Sequence, residues 1–222
     1  MKIKFKMLRL LFATALVVFP LSMSVKGNVG NGACGIYADF AVLKVNGGSQ
    51  NWYQAQNGSA FPASLGNVTS LTLTGGEVDT YKNGSGNILG AYLDYRIYSG
   101  SPSGSFTEIA LPHQADNYFG AGNQQWETAN IPSTTGVNID VLSLNGGLTY
   151  GTTYTLEFYW RARANDGGTD FDWTDNQGGA NYTMTLTPVP EPITLALPIF
   201  GGLVLTAGVA RRFVSRRTNP LV

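Results

Sequence analysis

The chain has little of what most enzymes are built around. Its 222 residues hold one cysteine, Cys34, and one histidine, His113. A single cysteine makes no intrachain disulfide, and Cys34 reads as an inert buried thiol. His113 sits between Pro112 and Gln114 in an expected loop, and no serine is marked as a nucleophile for it to activate. Charge is also scarce, with charged residues making up 13% of the chain, while Gly, Asn, Ser, Thr and Tyr are plentiful. That is the surface of an extracellular β-protein rather than of a cytosolic enzyme. Between residues 25 and 187 no segment carries a helical apolar period.

The formal net charge of zero conceals an uneven distribution. Four cations (Lys2, Lys4, Lys6, Arg9) lie at one end, and four (Arg211, Arg212, Arg216, Arg217) at the other. The body between them has six cations against fourteen acids, a net charge of −8. Such a body is a poor partner for nucleic acid.

What the body does have is alternation. Ala38 to Val45, Val68 to Thr74, Glu77 to Tyr81, Ile88 to Ser99, Phe106 to Leu111, Val137 to Leu144, Thr152 to Ala164 and Tyr182 to Leu186 each read as a strand. Asn46-Gly47-Gly48, Gly75-Gly76, Asn83-Gly84 and Asn145-Gly146-Gly147 are the turn signals between them, with Asn83-Gly84 read as a hairpin. Leu93, Tyr95, Ile97, Leu156, Phe158 and Trp160 fall on apolar faces and are expected in the core. About eight short strands in roughly 160 residues predict one all-β domain over 25–187, a β-sandwich of jelly-roll-like or immunoglobulin-like form.

Two constellations in the body could bind a ligand. Trp52, Tyr53 and Trp126 stand among Gln50, Asn51, Gln54 and Gln124, and aromatic rings beside amide side chains are the chemistry of a sugar platform. Asp170, Asp172 and Asp175 form the densest acidic run, and oxygen donors on a Gly-containing loop could hold calcium, although the spacing lacks the EF-hand glycine and final Glu. Solvated turn acids are the plainer reading, so no metal or other cofactor is expected. Two facing carboxylates could also make a small glycosidase.

The two ends are more specific. Lys2 to Arg9 is basic, Leu10 to Phe19 is apolar, and Pro20, Ser22 and Ser24 follow. This is the pattern of a signal peptide over 1–24, cut after Ser24 or, alternatively, after Gly27. Toward the other end come Val189-Pro190-Glu191-Pro192, an uncharged stretch of 18 residues over 193–210, and the arginines of 211–217. As a helix the stretch spans about 27 Å, close to a bilayer's hydrocarbon thickness. Its Pro198 and Gly201-Gly202 are tolerable in a membrane helix. The arginines would stay on the cytoplasmic side as a membrane stop, which puts the body on the far side, as the signal peptide also requires.

In this order of motif, apolar stretch and arginines, residues 188–217 resemble the PEP-CTERM sorting signal of exported proteins of Gram-negative bacteria. The resemblance implies a transient stay in the inner membrane and recognition near Val189–Pro192 by an exosortase-type sorting protease. Release or attachment at the cell surface would follow, often among exopolysaccharide and biofilm. The expectation is therefore a non-enzymatic, structural or adhesive surface or matrix protein. A carbohydrate-binding module is the alternative, and a small secreted hydrolase the third reading.

Overall fold

A computed structural model describes residues 29–55, 61–118, 120–128 and 137–192. The expected signal peptide over 1–24, the apolar stretch 193–210 and the arginines of 211–217 lie outside the described residues. Among the described residues, no helix is long and apolar enough to cross a membrane.

The body is all-β and forms two sheets. The first holds β1 (Val29–Gly30), β2 (Cys34–Val45), β3 (Gln50–Gln54), β5 (Leu71–Lys82), β8 (His113–Asp116), β9 (Asn123–Glu127) and β10 (Ile139–Asp140). Its order is β1-β2-β5-β9-β8, with β3 also on β2 and β10 also on β5. The second holds β4 (Ser64–Val68), β6 (Gly86–Tyr98), β7 (Thr107–Leu111), β11 (Tyr154–Asp166), β12 (Thr169–Asp175) and β13 (Tyr182–Pro188). Its order is β4-β13-β11-β6-β7, with β12 also on β11.

The core lies between the sheets. Ile36, Ala41, Leu43, Leu73 and Val78 of the first face Leu93, Tyr95, Leu156, Phe158 and Trp160 of the second, all buried. The six residues expected in the core from alternation are all there. Phe61 fills the gap near Tyr53, meeting Phe158, Trp160 and Tyr182 at ring distances of 5.6 to 6.4 Å. Cys34 is buried and makes no disulfide.

Local signals explain much of the strand layout. Asn46 and Gly47 both take left-handed dihedrals (φ 53° and 69°), as a tight Asn-Gly hairpin requires, and they join β2 to β3. Four expectations need correction. Gly75-Gly76 does not end a strand. β5 runs through it, because a second sheet packs so closely there that a Cβ on Gly76 would sit 2.9 Å from Leu93. Asn83-Gly84 is a corner between sheets, not a hairpin, since β5 and β6 belong to different sheets. Val137 to Leu144 gives only the two-residue β10 followed by a 3₁₀ segment over Val141–Gly146. The acidic run after Asp166 is the strand β12, hairpinned onto β11 through Gly167 and Gly168.

Alternation in β6 also breaks once. Arg163 pairs with Gly90 but Ala164 pairs with Ile88, so Leu89 is an extra, bulged residue. The bulge turns Ile88 inward and leaves Leu89 45% exposed, where unbroken alternation would put Leu89 on the face of Leu93.

Candidate functional site

The sequence motif Val189–Pro192 begins where the last described strand ends. β13 stops at Pro188, and the Val189 N–H still donates to the Val68 carbonyl at 2.8 Å. Val189 and Pro190 are half-buried, and Glu191 and Pro192 are exposed. Pro190 and Pro192 fix their own φ angles and disfavour helix at the residues before them, and Pro192 is itself helical.

The three aromatic candidates do not form a platform. Trp52 pairs across strands with Val42 and Tyr53 with Ala41, so the two rings point to opposite faces of the first sheet. Trp52 meets Phe40 edge-on at 6.0 Å on the outer face, whereas Tyr53 turns inward to Phe61. Trp126 pairs with Val78 on the inner face, is 9% exposed, and donates its indole N–H to Thr80 Oγ1 at 3.0 Å.

The acidic candidates separate for the same reason. Asp170 and Asp172 lie on the outer face of β12, where they accept from Arg163 (3.2 Å) and Arg161 (3.3 Å) respectively. Asp175 points inward and accepts from the Tyr182 hydroxyl at 2.8 Å. The three carboxylates do not face a common point. As the structure stands, no group of three or more His, Cys, Asp or Glu side chains among the described residues is set around a metal position.

Two other constellations emerge from strand register. On the outer face of the second sheet, charged and aromatic side chains form a ladder. Arg96 grips Glu157 with two hydrogen bonds (2.8 and 3.1 Å) and lies 4.3 Å over the Phe106 ring, which itself meets Tyr159 edge-on at 4.7 Å. Arg161 stacks over Tyr92 at 4.9 Å and binds Asp94 at 2.8 Å, Asp172 and Glu108. Burial opposes charge on Glu157, but hydrogen bonds from Arg96, Asn181 and Tyr98 together hold its carboxyl below the usual range. Burial raises the Asp94 carboxyl in spite of Arg161. Beside this ladder an open depression of about 390 Å³ lies among Tyr92, Glu108, Arg163, Asp170 and Phe171.

On the outer face of the first sheet, four polar side chains form a square. Glu77 pairs with Glu127, and Asp79, two residues along the same face of β5, pairs with Gln125. All four are buried, and Gln125 Nε2 donates to Glu77 at 3.1 Å and Glu127 at 3.2 Å. Asp79 is fully buried, and neither carboxyl oxygen has a donor. The neighbouring Glu77 could supply one only if the pair holds a proton. Burial, then the charges of Glu77 and Glu127, push the Asp79 carboxyl up to about 9.

Sequence reasoning missed both groups. The alternation of Tyr92, Asp94 and Arg96 with apolar neighbours was visible, and so was Glu77-x-Asp79. What joins them to Arg161 and Glu127 is cross-strand register between distant segments, which spacing along the chain does not carry. Compared with family models, curated proteins and solved structures, the chain matches none.

Proposed function

We propose that this chain is an exported cell-surface or extracellular-matrix protein, sorted through Val189–Pro192 and structural or adhesive among exopolysaccharide. The observation that carries the reading is the way the motif leaves the body. A protease working at a membrane surface needs an accessible segment, and Glu191 and Pro192, three and four residues beyond the end of β13, are exposed. Val189, tied to Val68, gives that segment a fixed starting point. The motif's order with the apolar stretch 193–210 and the arginines adds the sorting-signal resemblance. The β-body would then be the cargo. Its repeated switching from sheet to sheet along the chain favours the jelly-roll-like form of sandwich.

The test is processing in the native host. Mass spectrometry of the mature protein should place one cut near residue 24 and another near the motif. Glu191→Ala and Glu191→Asp should both leave uncut precursor in the inner membrane, because a pocket shaped around one side chain between two prolines rejects the shorter acid. Normal processing of both variants would refute the reading.

A second reading has its own support. The ladder of Tyr92, Arg161, Tyr159 and Phe106 beside the depression offers ring faces next to carboxylates and guanidinium groups, which suit a polyhydroxylated glycan. A glycan array probed with the protein should then give hits that Tyr92→Ala and Arg163→Ala both weaken. An array with no hits would remove it.

A further inference from the structure

We propose that the end of β13 is a stop for the sorting protease: the fold holds the peptide unit joining Pro188 to Val189 from both sides, so the cut falls at the Pro190–Glu191 bond or beyond it, and the released body keeps Val189 and Pro190. The inference rests on the sorting reading and adds to it where the cut lies and what sets that place.

β13 is flanked on both sides. It pairs antiparallel with β11, from Tyr154↔Leu186 to Phe158↔Tyr182, and parallel with β4, from Thr185↔Ser64 to Pro188↔Val68. One further bond closes each side. The Gly151 N–H donates to the Pro188 carbonyl at 2.8 Å, and the Val189 N–H donates to the Val68 carbonyl, also at 2.8 Å. The Pro188 C=O and the Val189 N–H belong to one peptide unit, so that unit is clamped between two separate segments. Both partners are themselves fixed. Val68 is fully buried. Gly151 takes a left-handed φ of 77° in a turn where the Thr152 N–H donates to the Thr149 carbonyl at 3.3 Å and the Thr149 N–H to the Tyr154 hydroxyl at 3.0 Å. Behind the clamp, Tyr182, Met184, Leu186 and Pro188 are buried, so freeing β13 means opening part of the core.

A protease takes its substrate as an extended strand whose main-chain groups it pairs with itself. Groups the fold already occupies are closed to it until the segment opens locally, and cleavage then tracks the small population of the open form. Val189 is half-buried and its N–H is engaged, so the Val189–Pro190 bond follows directly on a held residue. Pro190 has no N–H for the fold to hold, and Glu191 and Pro192 are exposed. Pro190–Glu191 is therefore the first bond that lies past the clamp and leads into exposed chain. Its hydrolysis breaks the link between the Pro190 carbonyl carbon and the Glu191 nitrogen, with water giving a hydroxyl to the carbon and a proton to the nitrogen.

Proline-flanked bonds resist many proteases on their own account, so the test separates the clamp from the prolines. The purified full chain in detergent micelles is digested with a little proteinase K, and mass spectrometry reads the C-terminus of the resistant body. It should lie at Pro190 or later. A second chain carries Gly-Ser-Gly-Ser between Val189 and Pro190, which puts cleavable bonds next to the clamp, and its resistant body should end at Val189 or within the insert. A wild-type body ending at Val189 or earlier, or an insert variant ending before Val189, overturns the proposal. In the native host the mature body should also end at Pro190 or later. A cut at Val189 or upstream would sink the stop and leave the sorting reading standing. No cut near the motif would remove the sorting reading and the stop with it, and the digestion then tells that failure from a loose clamp.

Discussion

The indole N–H of Trp160, on the central strand of the second sheet, donates a 3.1 Å hydrogen bond to the main-chain carbonyl of Phe40 in the first. The two residues are 120 positions apart in sequence. The bond therefore ties the layers together at the middle of the core, where Trp160 is fully buried against Phe158, Tyr182 and Phe61. Trp160→Ala should cost about 3–5 kcal/mol through the cavity it leaves. Trp160→Phe keeps most of the ring but loses the donor, and should cost less, about 1–3 kcal/mol. Denaturant melts of both variants give the order, and a Trp160→Phe variant as stable as the wild type would mean that the hydrogen bond contributes nothing.

Gly76 reports the same closeness of the sheets. A Cβ there would lie 2.8 Å from the Phe40 carbonyl oxygen and 2.9 Å from Leu93 Cδ2, one a backbone atom and the other a packed core side chain. Gly76→Ala should destabilise by about 1–3 kcal/mol through overpacking. Gly47→Ala, at a hairpin with open space around the site, tests a different effect: its cost comes from the left-handed backbone alone, about 1 kcal/mol. Thermal melts in which the Gly76 variant matched the wild type would show that the layers can part without penalty.

Gly76 also marks the limit of what the sequence carries. Alternation identified most of the strands and the buried row Leu93, Tyr95, Ile97, Leu156, Phe158 and Trp160, because burial on one face of a strand imposes a period of two on the residues themselves. It did not reveal that β5 continues through Gly75-Gly76. Glycine ordinarily weakens a strand, and the reason for it here, a second sheet packed on top, is a long-range contact. The same limit applies to the ligand candidates. Trp52 and Tyr53 are neighbours in sequence and for that very reason point to opposite faces, while Glu77 and Glu127, 50 residues apart, stand side by side.

Asp39 makes stability depend on pH. It lies on the inner face of β2 between the layers, fully buried, and neither oxygen receives a hydrogen bond from a donor group. Burial first, then the Asp175 carboxyl and more weakly Asp79, raise its pKa well above the ordinary 3.8, and Tyr182 also faces this pocket through Asp175. The sign follows from linkage. The folded state keeps a proton that the unfolded state releases, so the contribution of Asp39 is full below about pH 4 and is lost as pH rises toward the folded-state pKa. Glu157 acts in the opposite sense: its carboxyl is held low, so its contribution is present above about pH 4.5 and lost as pH falls. Asp39→Asn, whose amide can donate to Asp175 as the protonated acid does, should raise the melting temperature at pH 8 and change it little at pH 4. A uniform shift at both pH values would show that Asp39 titrates normally in the fold.

Arg161 gives the sharpest electrostatic test, because one guanidinium serves three acids of very different exposure. The Asp94 side chain is 5% exposed, whereas those of Asp172 and Glu108 are 44% and 50% exposed. Exposed pairs are worth about 0–1 kcal/mol each, so Glu108→Gln and Asp172→Asn should be nearly silent. Asp94 differs. Burial already raises its carboxyl against the pull of Arg161, and removing Arg161 would leave a buried charge with no counter-ion. Arg161→Met should therefore cost about 3–5 kcal/mol at neutral pH, far more than the surface pairs suggest. The loss should shrink toward pH 4 as Asp94 takes up a proton. The double variant Arg161→Met, Asp94→Asn removes both charges, and it should recover most of the stability if the penalty comes from the stranded carboxylate. If the double variant is no more stable than Arg161→Met alone, the cost lies instead in the stacking of Arg161 on Tyr92, 4.9 Å away, and the ion pair is incidental to the sheet.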